Sequence, residues 1–277
     1  MNTIKLIAID LDETLLNQDR EISEFTASMI DQLCEMNYMI LPSTARSYKD
    51  IPSSLMKTNL EYYVCSNGAT IWNNRTKSII SSHVLSMDMV KEILNHTAMA
   101  NKIITMVADG IIYTDKKFVD LLKLEKLDEE NIARICSTRT MVDVDDFSTI
   151  LEKHSHIDKL HFNFMNLDEK EICSKLVDCY SDQINITSSD PTNLEMTNKL
   201  ASKGLAIKEL CKIMNIDEDC IMAIGDNTND IAMFEVAKIK VAMKNGNPIL
   251  KEKADYITEY SNIEDGVAKF LQKHLIQ

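Results

Sequence analysis

Two aspartates, Asp10 and Asp12, directly follow the short apolar run Leu6–Ile9 near the start of the sequence. A buried strand rarely accommodates carboxylates, so the pair is expected where the strand ends. Side chains two residues apart in extended backbone point to the same side, so both carboxylates can face one site. Such a pair could cap a turn, hold a metal ion or take part in catalysis, and alone it most often belongs to a turn.

The most specific group of polar residues lies in the segment IMAIGDNTNDIAMF, residues 221–234. An apolar run leads into Gly225, and Asp226, Asn229 and Asp230 follow before a helical pattern begins. Acids and amides packed this closely are poor core material and exceed what one helix cap needs. Their hard oxygen atoms are typical ligands of Mg²⁺.

Two weaker groups complete the set of candidate site residues. In ILPSTARS, residues 40–47, Thr44 offers a hydroxyl where a strand should end, and N–H groups of the turn could bind phosphate. In ASKGLAIKEL, residues 201–210, Lys203 begins an amphipathic helix, where a cation opposes the helix dipole unless an anion lies beside it. A helix cap and a solvated lysine are the ordinary alternatives for these two residues.

The elements that must position these groups alternate between strand and helix at both ends of the chain. Strands are expected at residues 4–9, 38–41, 62–65, 220–224, 239–243 and 256–257. Helices are expected at residues 23–37, with Ser23 as the cap, and at 48–56, 202–214, 230–237 and 263–274. This alternation predicts an α/β fold with a Rossmann-like parallel sheet, and ligands bind such sheets at the carboxyl ends of the strands.

The middle of the chain follows a different pattern. A helix is expected at 86–98, a hairpin at 103–113 with its turn at Asp109-Gly110, a strand at 160–165 and a helix at 168–180. We therefore predict an α+β domain at 84–187, inserted into a core formed by 1–83 and 188–277. His154, His156 and His161 lie in this insertion, but no cysteine or paired acid with suitable spacing joins them, which favours surface or hinge roles over a metal site.

Composition excludes several classes of function. The net charge of −13 over 277 residues offers no concentrated positive face, so no nucleic-acid partner is expected. The seven cysteines contain no C-x-x-C pair, which is typical of reduced thiols in a cytoplasmic protein. The first apolar run is too short and too acidic for a signal peptide, and no later run could span a bilayer, so no membrane partner is expected.

The order of the four groups resembles the motif set of the haloacid dehalogenase-like hydrolases: D-x-D-x-T-L at 10–15, a hydroxyl at Thr44, Lys203, and G-D-x-x-N-D at 225–230. The spacing is similar to that of the Cof-type branch, which comprises sugar-phosphate and related phosphatases with a large α/β cap. SNGA at 66–69, VAMKNGNP at 241–248 and DGVAKFL at 265–271 are further matches. Glu13 stands where the family usually has Gly, and Ala45 stands where T-G-R is usual.

The resemblance implies a role for each motif residue. Asp10 would be the nucleophile that forms an aspartyl-phosphate, and Asp12 would be the general acid and base. Lys203 would neutralise charge beside the nucleophile. The groups that would contact the phosphate are Leu11 through its amide, Thr44, Ala45, Lys203 and Asn229.

The resemblance also implies a magnesium cofactor. Its ligands would be the Asp10 carboxylate, the backbone carbonyl of Asp12 and the Asp226 carboxylate. Asp230 would complete the metal site from one contact further away, by orienting a water molecule or Lys203.

The sequence thus predicts a Mg²⁺-dependent phosphatase of small phosphorylated metabolites, either sugar phosphates or phosphorylated cofactors. The inserted domain would act as a cap that sets substrate choice, and the protein would be a monomer or a weak homo-oligomer. Two alternatives stay open: a phosphotransferase or phosphomutase on the same core, and a non-catalytic protein that binds phosphometabolites. A nucleotide-sugar glycosyltransferase is disfavoured, because it does not explain GDNTND or Lys203.

Overall fold

The computed structural model describes residues 3–188 and 191–276. The strands, in chain order, are β1 (Leu6–Ile9), β2 (Met39–Pro42), β3 (Tyr62–Cys65), β4 (Thr70–Asn73), β5 (Ser78–Ser82), β6 (Ile103–Ala108), β7 (Ile111–Asp115), β8 (Thr140–Val142), β9 (Ile157–Asn163), β10 (Ile184–Thr187), β11 (Asn193–Asn198), β12 (Ile221–Gly225), β13 (Ile239–Ala242) and β14 (Tyr256–Ile257). The α-helices are α1 (Glu24–Glu35), α2 (Ser53–Met56), α3 (Met87–His96), α4 (Phe118–Leu124), α5 (Glu129–Ser137), α6 (Phe147–Lys153), α7 (Leu167–Val177), α8 (Lys203–Met214), α9 (Ile231–Val236), α10 (Pro248–Lys251) and α11 (Gly266–Leu271).

The chain forms two compact units. Unit 1 contains the residues up to Arg46, then Ile51–Ser81, and the residues from Ser202 onward. Unit 2 contains Ser47–Asp50 and Ser82–Ala201. Each unit has its own sheet and its own apolar core.

The main sheet of unit 1 has five strands in the order β14-β13-β12-β1-β2, and all of its paired strands are parallel. The interior strand β1, between β12 and β2, is fully buried, because a parallel sheet is covered on both faces and accepts a continuous apolar run. The predicted α/β fold with a parallel-sheet core is confirmed.

One predicted strand of the core pairs mainly in another sheet. β3 pairs antiparallel with β4 in a three-stranded sheet with β5, and a single parallel bridge between Val64 and Ser43 links it to the residue after β2. The chain reverses between β3 and β4 through Ser66, Asn67 and Gly68, whose φ angles are 51°, 56° and 94°. Three successive left-handed residues close this turn, and sequence periodicity does not reveal them.

Two helices of unit 1 depend on single residues, one for its start and the other for its packing. The Ser23 hydroxyl accepts a hydrogen bond from the Thr26 amide at 3.0 Å, so Ser23 caps α1 as expected. α8 packs closely on α9 at Gly204, where a Cβ atom would lie 2.1 Å from the Ala232 carbonyl oxygen.

Among the described helices, no span is both long and apolar enough to cross a membrane.

Unit 2 contains a six-stranded sheet in the order β10-β11-β9-β6-β7-β8. Its pairs are antiparallel except for β7 with β8. The predicted hairpin is confirmed as β6 and β7, and its turn residues Asp109 and Gly110 have φ angles of 48° and 72°. One sheet face packs on α3, α6 and α7 around a core that includes Met106, Leu160 and Phe162.

The second unit extends past the predicted boundary at residue 187. β10 pairs with β11, and β11 pairs with β9 through Leu194 opposite Phe162, so the unit continues to Ala201. The β11 sequence NLEMTN carries only two apolar residues among polar ones, which is why its strand pattern is weak.

Candidate active site

The acidic turns of unit 1 meet because they follow neighbouring strands. Asp10 comes after β1 and Asp226 comes after β12, and these strands pair in parallel. The Asp10 amide donates to the Ile224 carbonyl at 3.0 Å, which continues the strand pairing up to the first acid. Both aspartates therefore lie at the carboxyl edge of the sheet, as predicted.

Lys203 lies between two of these carboxylates. Its Nζ is 2.5 Å from Oδ1 of Asp10 and 2.7 Å from Oδ1 of Asp230, and its side chain is 1% exposed. Burial opposes its charge, but the charges and hydrogen bonds of the two aspartates outweigh burial and raise the pKa of Lys203 above its ordinary value. An ordinary solvated lysine is thereby excluded.

Both carboxylate oxygens of Asp230 accept hydrogen bonds from neighbouring groups. Its Oδ2 accepts hydrogen bonds from the backbone N–H groups of Asp226 at 3.0 Å and Asn227 at 3.1 Å, while Oδ1 accepts from Lys203. Gly225 permits this closure, because a Cβ atom there would lie 2.5 Å from Oδ2 of Asp230. Asp230 thus fixes both the turn and the lysine.

The site carries more negative charge than Lys203 balances. Burial, followed by the charge of Asp230, raises the pKa of Asp10 well above its ordinary value and that of Asp226 to about 6. Asp10, Asp226 and Asp230 each present a carboxylate oxygen, and these oxygens lie within 4.8 Å of one another. Such a buried set of hard oxygen donors fits a divalent cation, which would compensate the excess charge.

Asp12 has a different environment from the other three acids. Its side chain is 48% exposed, and its carboxylate accepts from Nε of Arg46 at 2.8 Å and from a terminal nitrogen at 2.6 Å. Burial opposes ionisation of Asp12, but the hydrogen bonds and charge of Arg46 outweigh it and lower the pKa. The Asp12 carboxylate is not among the three that converge on the candidate metal site.

The turn at 11–15 shows why the family usually has Gly where this chain has Glu13. Glu13 has φ 58°, in the left-handed region, and its side chain is exposed. Gly adopts this conformation without a steric penalty, which accounts for the usual preference at this position.

The predicted phosphate-binding residues are divided between buried and open positions. Thr44 follows β2 and is buried, its hydroxyl accepts from the Arg46 amide at 3.1 Å, and its own amide donates to Val64. Leu11 is buried, Ala45 is half-buried and Asn229 is exposed in the turn after β12.

Sequence reasoning did not assign roles to Thr14 and Arg46. The Thr14 hydroxyl donates to Oδ1 of Asp226 at 2.9 Å, and Arg46 holds Asp12 as described. Thr14 lies in the D-x-D-x-T-L motif and Arg46 lies in ILPSTARS. A hydroxyl and a cation close to strand ends were the sequence signals that could have identified them as site residues. Their partners are far away in sequence, so only the folded chain identifies them.

Two histidines of the insertion, His154 and His156, form a local cluster with an acid in unit 2. Nδ1 of His154 and Nδ1 of His156 each lie 2.8 Å from an oxygen of Asp109 in the β6–β7 turn. Within residues 3–188 and 191–276, only the Asp10 group places potential metal-ligating atoms of three residues within 4.8 Å of one another.

Comparison with known proteins places this geometry in a family. A family model described as haloacid dehalogenase-like hydrolase matches residues 7–271. The Bacillus subtilis 5-amino-6-(5-phospho-D-ribitylamino)uracil phosphatase YcsE is 29% identical over 97% of this chain and 95% of its own. The phosphatase YwpJ of the same organism is 28% identical over 99% of this chain and 100% of its own.

Solved structures agree with the fold. TM0651 from Thermotoga maritima superposes with a TM-score of 0.81 at 26% identity, covering 98% of this chain and 97% of that one. A haloacid dehalogenase-like hydrolase from Bacillus subtilis gives a TM-score of 0.82 at 26% identity, covering 98% and 100%. The prediction of a phosphatase acting on phosphorylated substrates is confirmed. The chain belongs to the haloacid dehalogenase-like hydrolases.

Proposed function

We propose that the protein is a Mg²⁺-dependent phosphatase of small phosphorylated metabolites and that it acts through an aspartyl-phosphate on Asp10. The observation that carries the proposal is the position of Asp10, buried at the carboxyl edge of the sheet between Lys203 and Asp226. A carboxylate placed beside a cation and a second acid is suited to attack an anionic phosphate group once the charge is neutralised.

The metal would be held by Asp10, Asp226 and the backbone carbonyl of Asp12. When bound, Mg²⁺ would neutralise negative charge on the phosphate and on the attacking carboxylate. Asp230 would act indirectly, because its own oxygens hold Lys203 and the amides of the 226–227 turn.

In the first step, a carboxylate oxygen of Asp10 attacks phosphorus and the bond from phosphorus to the ester oxygen breaks. Asp12 donates a proton to the departing oxygen. Arg46 favours the ionised form of Asp12, so we propose that this ion pair opens when substrate binds. The amide of Leu11, together with Thr44, Ala45, Lys203 and Asn229, would contact the phosphate oxygens.

In the second step, water attacks phosphorus of the aspartyl-phosphate. Asp12 accepts a proton from that water, and the bond between phosphorus and Asp10 breaks. Inorganic phosphate leaves and the Asp10 carboxylate is restored, so the two steps together consume one water molecule per ester.

The proposed substrates are sugar phosphates or phosphorylated cofactors, and the phosphorylated ribityl compound named for the YcsE relative is one candidate. We propose that unit 2 sets the choice among them. We further propose that the protein is cytoplasmic, which its seven free thiols support. The net charge of −13 argues against a nucleic-acid partner, and we propose a monomer or weak homo-oligomer.

The test is phosphate release from a panel of sugar phosphates, nucleotides and cofactor phosphates. Asp10→Asn should abolish release while leaving the fold intact, because the sheet does not depend on that charge, and chelation of the metal should stop the wild-type enzyme. Asp19→Asn, an exposed acid nearby in sequence, is the matched control and should be fully active. Near wild-type release by Asp10→Asn, or release that persists in chelator, would refute the nucleophile or the metal role.

A further inference from the structure

Two asparagines hold the turn that carries Asp12. Nδ2 of Asn245 donates to the Glu13 carbonyl at 2.8 Å, and Nδ2 of Asn262 donates to the Leu16 carbonyl at 2.8 Å. The two asparagines are joined, because the Asn262 amide donates to Oδ1 of Asn245 at 3.2 Å. The turn between Asp12 and Leu16 is therefore held at two carbonyls by one connected pair.

The same segment also holds the second acidic turn. The backbone amide of Met243 donates to the Gly225 carbonyl at 2.9 Å, and that of Asn247 donates to the Asp226 carbonyl at 2.6 Å. Residues 243–247 thus contact the Asp226 turn through backbone groups and the Asp12 turn through the Asn245 side chain. Through the side chain of Asn245, this segment therefore connects the Asp226 turn to the Asp12 turn.

The turn at 11–16 needs such support. Glu13 is held at φ 58°, a conformation that L residues avoid, so without external contacts its backbone favours negative φ. Inside the turn, the Leu16 amide donates to Leu11 at 2.9 Å and the Leu15 amide to Asp10 at 3.3 Å. A change of φ at Glu13 would break these bonds and reorient Asp12.

We propose that Asn245 is a positioning residue of the active site, which fixes the Asp12 turn relative to the Asp226 turn. This deepens the proposed phosphatase function and rests on it for its catalytic consequence. Asn245 itself touches no reacting group; it acts through the backbone of Glu13.

The first measurement is amide hydrogen exchange in the full chain. Asn245→Ala should raise exchange at Leu15 and Leu16 about three- to tenfold, the effect of losing one solvent-accessible hydrogen bond. Asn59→Ala, an exposed asparagine of unit 1, should leave exchange at both amides unchanged. Unchanged exchange in a folded Asn245→Ala protein would show that Asn245 does not hold the Asp12 turn, whether or not the protein is a phosphatase.

The second measurement is steady-state kinetics. Asn245→Ala should lower kcat with little change in KM, and the loss should be larger for an alkyl phosphate than for 4-nitrophenyl phosphate, whose leaving group needs less protonation. In a Glu13→Gly background, where the left-handed turn is unstrained, the loss should shrink. Faster exchange with unchanged kcat would overturn the positioning role, whereas a wild-type protein that releases no phosphate would contradict the proposed function alone.

Discussion

At the scale of single residues, four acids of similar intrinsic chemistry are given different tasks by their surroundings. Asp10 is buried against Lys203, Asp226 is bound by Thr14, and Asp230 accepts two backbone amides. Asp12 alone is half-exposed and paired with an arginine. These surroundings fit the proposed roles: buried Asp10 would attack phosphorus once a cation offsets the cost of its charge, and exposed Asp12 can exchange protons with a departing alkoxide and with water.

Replacing Asp12 tests its proposed role in proton transfer. Asp12→Asn should lower kcat for an alkyl phosphate by about 10²–10⁴, the range for a lost general acid. The loss should be much smaller for 4-nitrophenyl phosphate, because nitrophenolate departs without a proton. Rates measured on both substrates decide the point, and an equal loss on the two would contradict the assignment.

Glu13 shows that the site retains backbone strain. A non-glycine residue in the left-handed region costs about 1–2 kcal/mol, and glycine gives back about 0.5–1 kcal/mol through the unfolded chain. Glu13→Gly should therefore raise the free energy of unfolding by about 0.5–1 kcal/mol. Urea denaturation measures the change, and Glu13→Gln, which removes the charge but keeps the strain, should show no such gain.

At the scale of elements, a buried acid marks an irregularity in unit 2. The pairing of β6 with β9 shifts register beside Asp158, which is fully buried. Burial, followed by the charge of Asp109, raises the pKa of Asp158 to about 8. The folded protein therefore keeps a proton on Asp158 at a pH where the unfolded chain has lost it.

This linkage gives a pH dependence of stability with a defined sign. Between the ordinary pKa of 3.8 and about 8, the folded state binds more protons than the unfolded state, so stability falls as pH rises through this window. Asp158→Asn should reduce the fall, leaving the part that comes from the raised pKa values of Asp10 and Asp226. At pH 9 it should exceed the wild type by a free energy on the order of a few kcal/mol. Urea denaturation at pH 5 and pH 9 is the measurement; Asp182→Asn, an exposed acid of unit 2, should behave like the wild type.

The sequence predicts elements well where one physical signal dominates. β1 and β12 follow from continuous apolar runs, and α1 from its serine cap. β11 escapes prediction because its apolar residues are few, and the β3–β4 reversal because left-handed angles at Ser66 and Asn67 leave no periodic signature.

The candidate site divides in the same way. Motif residues at strand ends are predictable, since parallel strands bring their carboxyl ends to one edge. The Thr14–Asp226 bond and the Arg46–Asp12 pair are not, because each joins segments whose distance is set by the completed fold.

At the scale of the whole molecule, we expect unit 1 to carry out the reaction and unit 2 to set the choice of substrate. Replacing Ser82–Ala201 with the corresponding segment of the YcsE relative should change the order of preferred phosphate esters, because the proposed reacting groups all belong to unit 1. Asp10→Asn should still abolish activity in the chimera. Phosphate release across the substrate panel is the measurement, and an unchanged order of preference would contradict the role of unit 2 in substrate choice.

The interior position of β1 in the sheet has a consequence for biosynthesis. β1 lies between β2, which follows soon in the chain, and β12, and the nearby Thr14–Asp226 bond spans 212 residues. A nascent chain on the ribosome therefore exposes one unpaired edge of β1 until most of the protein has been translated, while the continuous segment Ser82–Ala201 is available to fold earlier. Premature termination before Ile221 would leave that edge open to aggregation.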